Sequence, residues 1–327
     1  MIRVKRSDSS PPLHEPVMVE EVLNHLAPGE KPNDVFLDGT TSTGGHAAAI
    51  AEKLGADGTL IGLDLDETAL EVASQRLKKL SPQIKLYRGN YRDMESAMER
   101  AGVEALSGVL FDLGFSTFQI EDPERGFSFQ SSGPLDMRMD SEGNTTAEEI
   151  VNEYSFEALK DLILRYGEER WADGIAKEIV KKREEERITT TDQLVNVIKA
   201  ALPEGERWSR KIHPATRTFQ ALRIAVNDEL TNLEEGLEAA YNSLEKGGVM
   251  VVIAYHSLED RRVKRFLAHK EEDCTCPPDL PICRCEAERE IEITANGITP
   301  DEKEIEENPR SRSARLRAGR KLASKER

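Results

Sequence analysis

Cysteine, tryptophan and long apolar runs are scarce in this chain. Its 327 residues include 4 Cys and 2 Trp, and aromatics make up 5%. No apolar stretch approaches the roughly 20 residues that cross a bilayer, so no membrane span is expected. Residues 1–12 carry basic side chains without an apolar h-region, so they read as a disordered lead-in and not a secretion signal. A cytoplasmic protein is expected. The Gly-x-Gly-x-x-Gly fingerprint that cradles a pyrophosphate is absent. Net positive charge is also missing: the formal balance is −16, which argues against indiscriminate nucleic-acid binding.

The chain does contain a series of short apolar runs that end in acids. Val35-Phe36-Leu37-Asp38 breaks into Gly39-Thr40-Thr41-Ser42-Thr43-Gly44-Gly45-His46 and restarts as a helix at Ala47. A buried strand that gives way to small-residue turn chemistry and then a helix is the first βα unit of a doubly wound sheet. Gly44 and Gly45 lack the Cβ atoms that would hold a ligand off the backbone. A glycine pair alone would serve a tight turn equally well. A second strand, residues 59–64, ends in Asp64, placed to accept both hydroxyls of a ribose. With no phosphate cradle present, a nucleoside ligand such as S-adenosylmethionine fits better than a dinucleotide. The strand at 84–88 closes in Tyr91, which could flank an adenine or cap the core. The strand at 108–112 ends in Asp112. Asp38, Asp64 and Asp112 are thus expected to ring one crevice at the carboxyl edge of the sheet.

The strand pattern then lapses for about a hundred residues. A Gly-, Ser- and Phe-rich loop (115–140) precedes helical patterns, including one capped at Thr191, which together read as an inserted helical cap. From Ala215 to Leu244 a 3-4 apolar spacing predicts one long amphipathic helix, stopped by Gly247-Gly248. The strand at 249–255 delivers His256 to the same edge as the acids. Residues 290–293 and 314–317 alternate like a final antiparallel pair with one exposed face. The expected parts are a tail (1–12), a first sheet portion (13–114), the loop and helical insert as a substrate-recognition domain (115–214), and a second sheet portion with a basic tail (215–327).

Charge is unevenly spread on this acidic body. Residues 309–327 hold eight Lys or Arg against one Glu, and Arg207, Arg210, Lys211, His213, Arg217 and Arg223 form a second cluster. Either could dock a phosphate backbone or remain a solvated face. Cys274, Cys276, Cys283 and Cys285 make Cys-x-Cys-x6-Cys-x-Cys. In a reducing compartment this suggests a zinc site more than disulfides, with reduced thiols as the alternative.

Five separated motifs, in order, resemble the bacterial small-subunit rRNA cytosine-N4 methyltransferase family. They are Asp38-Gly39-Thr40 with Gly44-Gly45-His46; Glu124 to Phe129 through Gly133 to Asp140; His213 to Leu230; His256 to Arg261; and Asn308 to Ser313. The resemblance spans about residues 14–321. It departs at residues 115–121, keeping Gln119. The resemblance implies a Rossmann-like α/β class I methyltransferase with a helical insertion, S-adenosylmethionine as cofactor, and 16S rRNA in the small ribosomal subunit as substrate, not DNA. By motif it implies cofactor contacts from Gly44, Gly45, His46, Asp64, Tyr91, Asp112 and Gln119. A cytosine amine is a poor nucleophile, so Asp112 is expected to accept an N–H with His256 assisting. Arg138, Arg217 and Arg223 are expected to hold phosphates or the base edge. Rival readings are a methyltransferase of another substrate and a non-catalytic assembly factor, and the oligomeric state is left open.

Overall fold

Strands of four to eleven residues, five of them parallel and ending at one edge, assemble into a seven-stranded sheet. The computed structural model describes residues 16–115, 119–120, 122–143, 145–209, 212–273 and 288–323. Strands β1 (Val35–Asp38), β2 (Thr59–Asp64), β3 (Gln83–Arg88), β4 (Leu106–Asp112) and β5 (Leu244–Ala254) run parallel. β6 (Ile291–Ile298) and β7 (Arg315–Lys321) complete the order β3-β2-β1-β4-β5-β7-β6, with β7 antiparallel to both neighbours. The α/β class expected from the βα pattern is the one the chain adopts.

Strand side chains alternate between two cores because successive residues point to opposite faces. Phe36, Leu60, Leu110 and Val251 pack against one helical layer, which includes α1 (Val19–Leu26) and α2 (Gly45–Lys53). Leu37, Ile61, Val109, Phe111, Met250 and Val252 pack against the other, which includes α4 (Met94–Ala101). Between α2 and α4 on the chain, α3 (Glu67–Leu77) starts at Asp66, whose side chain accepts from the amides of Thr68 and Ala69.

The insert forms a third core of its own. Helices α5 (Ala147–Glu153), α6 (Phe156–Gly167), α7 (Ala172–Glu185) and α8 (Thr191–Ala201) bury Ile150, Leu159, Ile175 and Leu194 together. Short α9 (Glu204–Ser209) follows. The cap of α8 is Thr190, one residue before the expected Thr191, whose hydroxyl instead donates to the Ser131 carbonyl.

The expected single helix from Ala215 to Leu244 is two: α10 (Thr216–Asn227) and α11 (Glu229–Ser243). Asp228 breaks them in the left-handed region at φ 47°, a conformation aspartate tolerates better than most residues. The reason is that the halves serve different cores. Ala215, Phe219, Ala221 and Leu222 belong to the insert, whereas Leu233, Leu237 and Ala240 lie under the sheet. By packing, then, α10 joins the insert although the expected boundary lay at residue 214. The helix also ends without Gly247-Gly248. Leu244 is already extended, and Gly247 sits at φ +85° where the β4–β5 register shifts.

The final antiparallel pair forms as expected, but β7 has no exposed face. It lies between β5 and β6 and buries Leu316, Arg317 and Ala318. Arg317 forms an ion pair with Asp260 in α12 (Ser257–Glu271) and donates to Asn296. Between β6 and β7, helix α13 (Glu302–Glu307) returns Glu304 to accept from the amide of Met18.

Candidate active site

The turn after β1 is built to hold Asp64. Ser42 takes a left-handed φ of 48°, which aims its amide at Asp64 Oδ2 (2.7 Å). The amide of Asp66 donates to Oδ1 (2.8 Å). Burial nevertheless pushes the Asp64 carboxyl up to about 6, against those amides. The Thr40 hydroxyl accepts from the Asp112 amide (2.6 Å), locking the β1 turn to the end of β4.

Asp64 and Asp112 both line one cavity of about 650 Å³, within the range of small-ligand sites. Gly45, His46, Tyr91, Gln119 and His256 line it as well. Gly44 does not. It holds φ +79°, and a Cβ there would press on Ala73 at 3.2 Å, so its work is the α2–α3 contact. Asp38 is also absent from the wall. It is buried behind the turn, accepting from the Thr40 amide, so two of the three expected acids reach the cavity. Tyr91 is wedged between Gly39 and Gly236, where a Cβ would come within 2.8 Å and 2.5 Å of it, and it leans on Phe111.

Among the described residues each Asp112 oxygen has a side-chain neighbour, but only one receives a hydrogen bond. Tyr255 donates its hydroxyl to Oδ1 (2.7 Å), and His46 Nδ1 stands 3.4 Å from Oδ2. His46 Nε2 lies 2.8 Å from the Val17 carbonyl, which can only accept, so Nε2 carries a proton. Nothing in the sequence pattern flagged Tyr255. Its one signal is its place at the end of an apolar strand, beside His256.

His256 has a different environment from the one expected of a catalytic assistant. It is the N-cap of α12, with Nδ1 accepting from the Glu259 amide (3.4 Å). Nε2 is 3.1 Å from Glu259 Oε1 without forming a hydrogen bond. Burial would raise Glu259, but His256, Arg223 and the Tyr255 amide outweigh it and hold the carboxyl below its ordinary value. Glu229, His256 and Glu259 are close enough to share a metal ion. Their ligand atoms are engaged, however: Arg223 holds both Glu229 oxygens, and Glu259 Oε2 accepts two amides.

The three arginines expected to face substrate are engaged within the protein. Arg138 gives Nε and Nη2 to Asp136, and Nη1 to the Gly143 carbonyl. Arg217 donates to the Glu168 carbonyl. Arg223 makes a buried two-point pair with Glu229 (2.7 Å twice) and lies over the Phe115 ring. Arg223 reaches the cavity wall, while Arg138 and Arg217 do not. In each case a nearby carboxylate or carbonyl claims the guanidinium, which apolar and charge spacing cannot reveal. Three phenylalanines, Phe127, Phe129 and Phe219, also line the cavity, and Phe129 stacks on His213 (4.6 Å, 10° between planes). The four cysteines of the expected zinc site lie outside the described residues.

The family model described as the MraW methylase family matches residues 12–322. The chain belongs to that family. It is 48% identical over 311 residues to a protein of Pelobacter propionicus named "Ribosomal RNA small subunit methyltransferase H", covering 94% of this chain and 98% of that protein. Proteins of the same name from Heliobacterium mobile and Symbiobacterium thermophilum are each 47% identical. They cover 94% and 96% of this chain, and 99% and 98% of those proteins. Membership spans both sheet portions and the insert, so the cavity between them lies wholly within the family's region.

Proposed function

We propose that this protein transfers a methyl group from S-adenosylmethionine to the exocyclic N4 of a cytidine in small-subunit (16S) rRNA. The observation that carries the reading is that a ribose-type acid, Asp64, a second acid, Asp112, and the rings of Phe127, Phe129 and Phe219 line one cavity. The residues fit the cofactor. Asp64 is fastened by amides yet opens to the cavity, where a ribose diol can donate to it. Gly45, His46, Tyr91 and Gln119 surround the same space, and Gly44 supports it from behind.

The cofactor supplies an electrophilic methyl group. The protein must align the amine, whose lone pair is delocalised into the ring, and let the nitrogen pyramidalise. Asp112 accepts one N4–H, and it takes that proton once the new N–C bond has formed. Tyr255 fixes Oδ1 by donating its hydroxyl, and Oδ2 faces His46 Nδ1. The base must leave its stack to arrive there, and Phe127, Phe129 and Phe219 offer rings against which it can rest. His256 serves by capping α12 and holding Glu259, a supporting role. The exposed Arg310, which lines the cavity, and the exposed Arg312 and Arg315 that follow it on the chain are the phosphate-docking residues of this reading. We assign the zinc role to Cys274, Cys276, Cys283 and Cys285 on their spacing alone.

Labelled S-adenosylmethionine incubated with small subunits, followed by nucleoside mass spectrometry, tests the proposal. N4-methylcytidine in 16S rRNA is expected. Label in any other nucleoside, or none with a folded protein that binds the cofactor, refutes it.

A further inference from the structure

Arg125 does not line the cavity, yet it joins its two walls. Its Nη1 donates to Asp66 Oδ2 (2.7 Å), and its Nη2 donates to the carbonyls of Arg138 and Met139 (3.0 Å each). Asp66 is 6% exposed and divides its carboxylate between two tasks. Oδ1 caps α3, and Oδ2 takes the arginine. The backbone amide of the same Asp66 donates to Asp64 Oδ1. On the other side, the Met139 amide donates to Asn227 Oδ1 (2.7 Å), and Asn227 Nδ2 donates to the Met137 carbonyl (2.8 Å). Met137 and Met139 both line the cavity. Asn227 itself ends α10, at the break that separates the insert from the sheet.

A continuous chain of hydrogen bonds therefore runs from the ribose acid, through Asp66 and Arg125, to the roof of the cavity and the α10–α11 break. We infer that Arg125 is a positioning residue that couples cofactor binding at Asp64 to placement of the substrate wall. The inference rests on the proposed function. The physical reason is geometric: a guanidinium presents a rigid planar fork, so fixing one arm on Asp66 fixes where the other arm holds residues 138 and 139. A second tie, Arg88 to Asp140 and Glu142, is more exposed and screened by solvent, so it cannot substitute. Coupling of this kind is reciprocal: cofactor at Asp64 should tighten RNA binding, and RNA should tighten cofactor binding by the same factor.

The test uses full-length protein, S-adenosylhomocysteine as the cofactor probe and small subunits as substrate. Arg125→Met removes both arms. Asp66→Asn keeps an oxygen for the α3 cap but puts an amide where the arginine needs a carboxylate. In the wild type, S-adenosylhomocysteine should tighten subunit binding by about five-fold or more. Either variant should cut that factor to about two-fold or less, and the double variant should do no further harm, as members of one network are non-additive. Arg125→Lys keeps the Asp66 contact without the fork, so it should recover thermal stability but not the coupling. Wild-type coupling in either folded variant overturns the inference, and so does a wild type that binds S-adenosylhomocysteine without coupling. Failure of the wild type to bind S-adenosylhomocysteine at all removes the proposed function first, and this inference with it.

Discussion

The two ends of the cavity are built by opposite means. At the Asp64 end, backbone amides from adjoining turns hold one acid, and the partners lie within 22 residues of it. At the far end side chains also meet one another: Arg223 grips both oxygens of Glu229, and Glu259 stands against His256 while its Oε2 accepts two amides. An amide-held acid can serve a ligand, because its remaining lone pairs face the cavity. A carboxylate already gripped on both oxygens, as Glu229 is, serves the fold. Asp112 lies between these cases, steadied by the Tyr255 hydroxyl on one oxygen while still reaching the cavity.

Breaking the middle should have the largest effect. Asp112→Ala should lower kcat by roughly 10²- to 10⁴-fold, the scale of a positioned proton acceptor, with little change in small-subunit KM. Near-normal turnover in a folded variant would refute the proton-acceptor role.

Next comes the far end. Arg223→Met leaves Glu229 buried without its cation, so stability should fall by about 3–5 kcal/mol. Replacing both partners by apolar residues should cost much less. Chemical denaturation of the single and double variants measures this, and equal losses would mean that the pair is worth nothing as a pair.

The Asp64 end should yield a smaller, ligand-specific loss. Asp64→Ala should weaken S-adenosylhomocysteine binding by about 1.5–3 kcal/mol, as expected for hydrogen bonds to a charged group, and leave the far end's stability contribution alone. The same acid sets a pH dependence. Ribose hydroxyls donate to the carboxylate, and burial raises Asp64 from 3.8 to about 6. Affinity should therefore be full above about pH 6 and decline as pH falls through it. For folding the sign is reversed. Asp38 and Asp64 both hold protons more tightly folded than unfolded, so they favour the folded state most below 3.8 and progressively less as pH rises through about 6. Calorimetric titrations from pH 5 to 8 would show the first trend, and a flat profile would contradict it.

The mildest effect belongs outside both ends. Arg310→Ala, Arg312→Ala and Arg315→Ala combined should raise the subunit KM and flatten its salt dependence, by a logarithmic slope of up to about 0.7–0.9 for each phosphate no longer neutralised. Arg317 must be left out, since its removal would strand Asp260. An unchanged slope would mean that these exposed arginines take no part in phosphate docking.

How much of this was legible in advance depended on distance along the chain. Asp64 and Asp112 were readable because a strand's carboxyl end is local information: an apolar run, then an acid, then a turn. The insert was readable for the same reason, as a stretch where period two gave way to period 3.6. By contrast, the break at Asp228 was invisible to apolar spacing, because both halves keep their 3-4 rhythm while facing different cores. Arg138 and Arg223 looked like free cations for want of knowledge that Asp136 and Glu229 stand against them.

Periodicity and turn chemistry by themselves determined the sheet class and the strand ends with their three acids, because those follow from local backbone preference and the burial of alternate side chains; only packing showed that Asp64 and Asp112 reach the cavity while Asp38 does not. Tertiary structure alone decided which charges remain available. Arg125 spans 59 residues to reach Asp66, Tyr255 spans 143 to reach Asp112, and Arg317 spans 57 to reach Asp260. Such pairings form only when packing of the cores has brought distant segments within about 3 Å, and no local pattern records them.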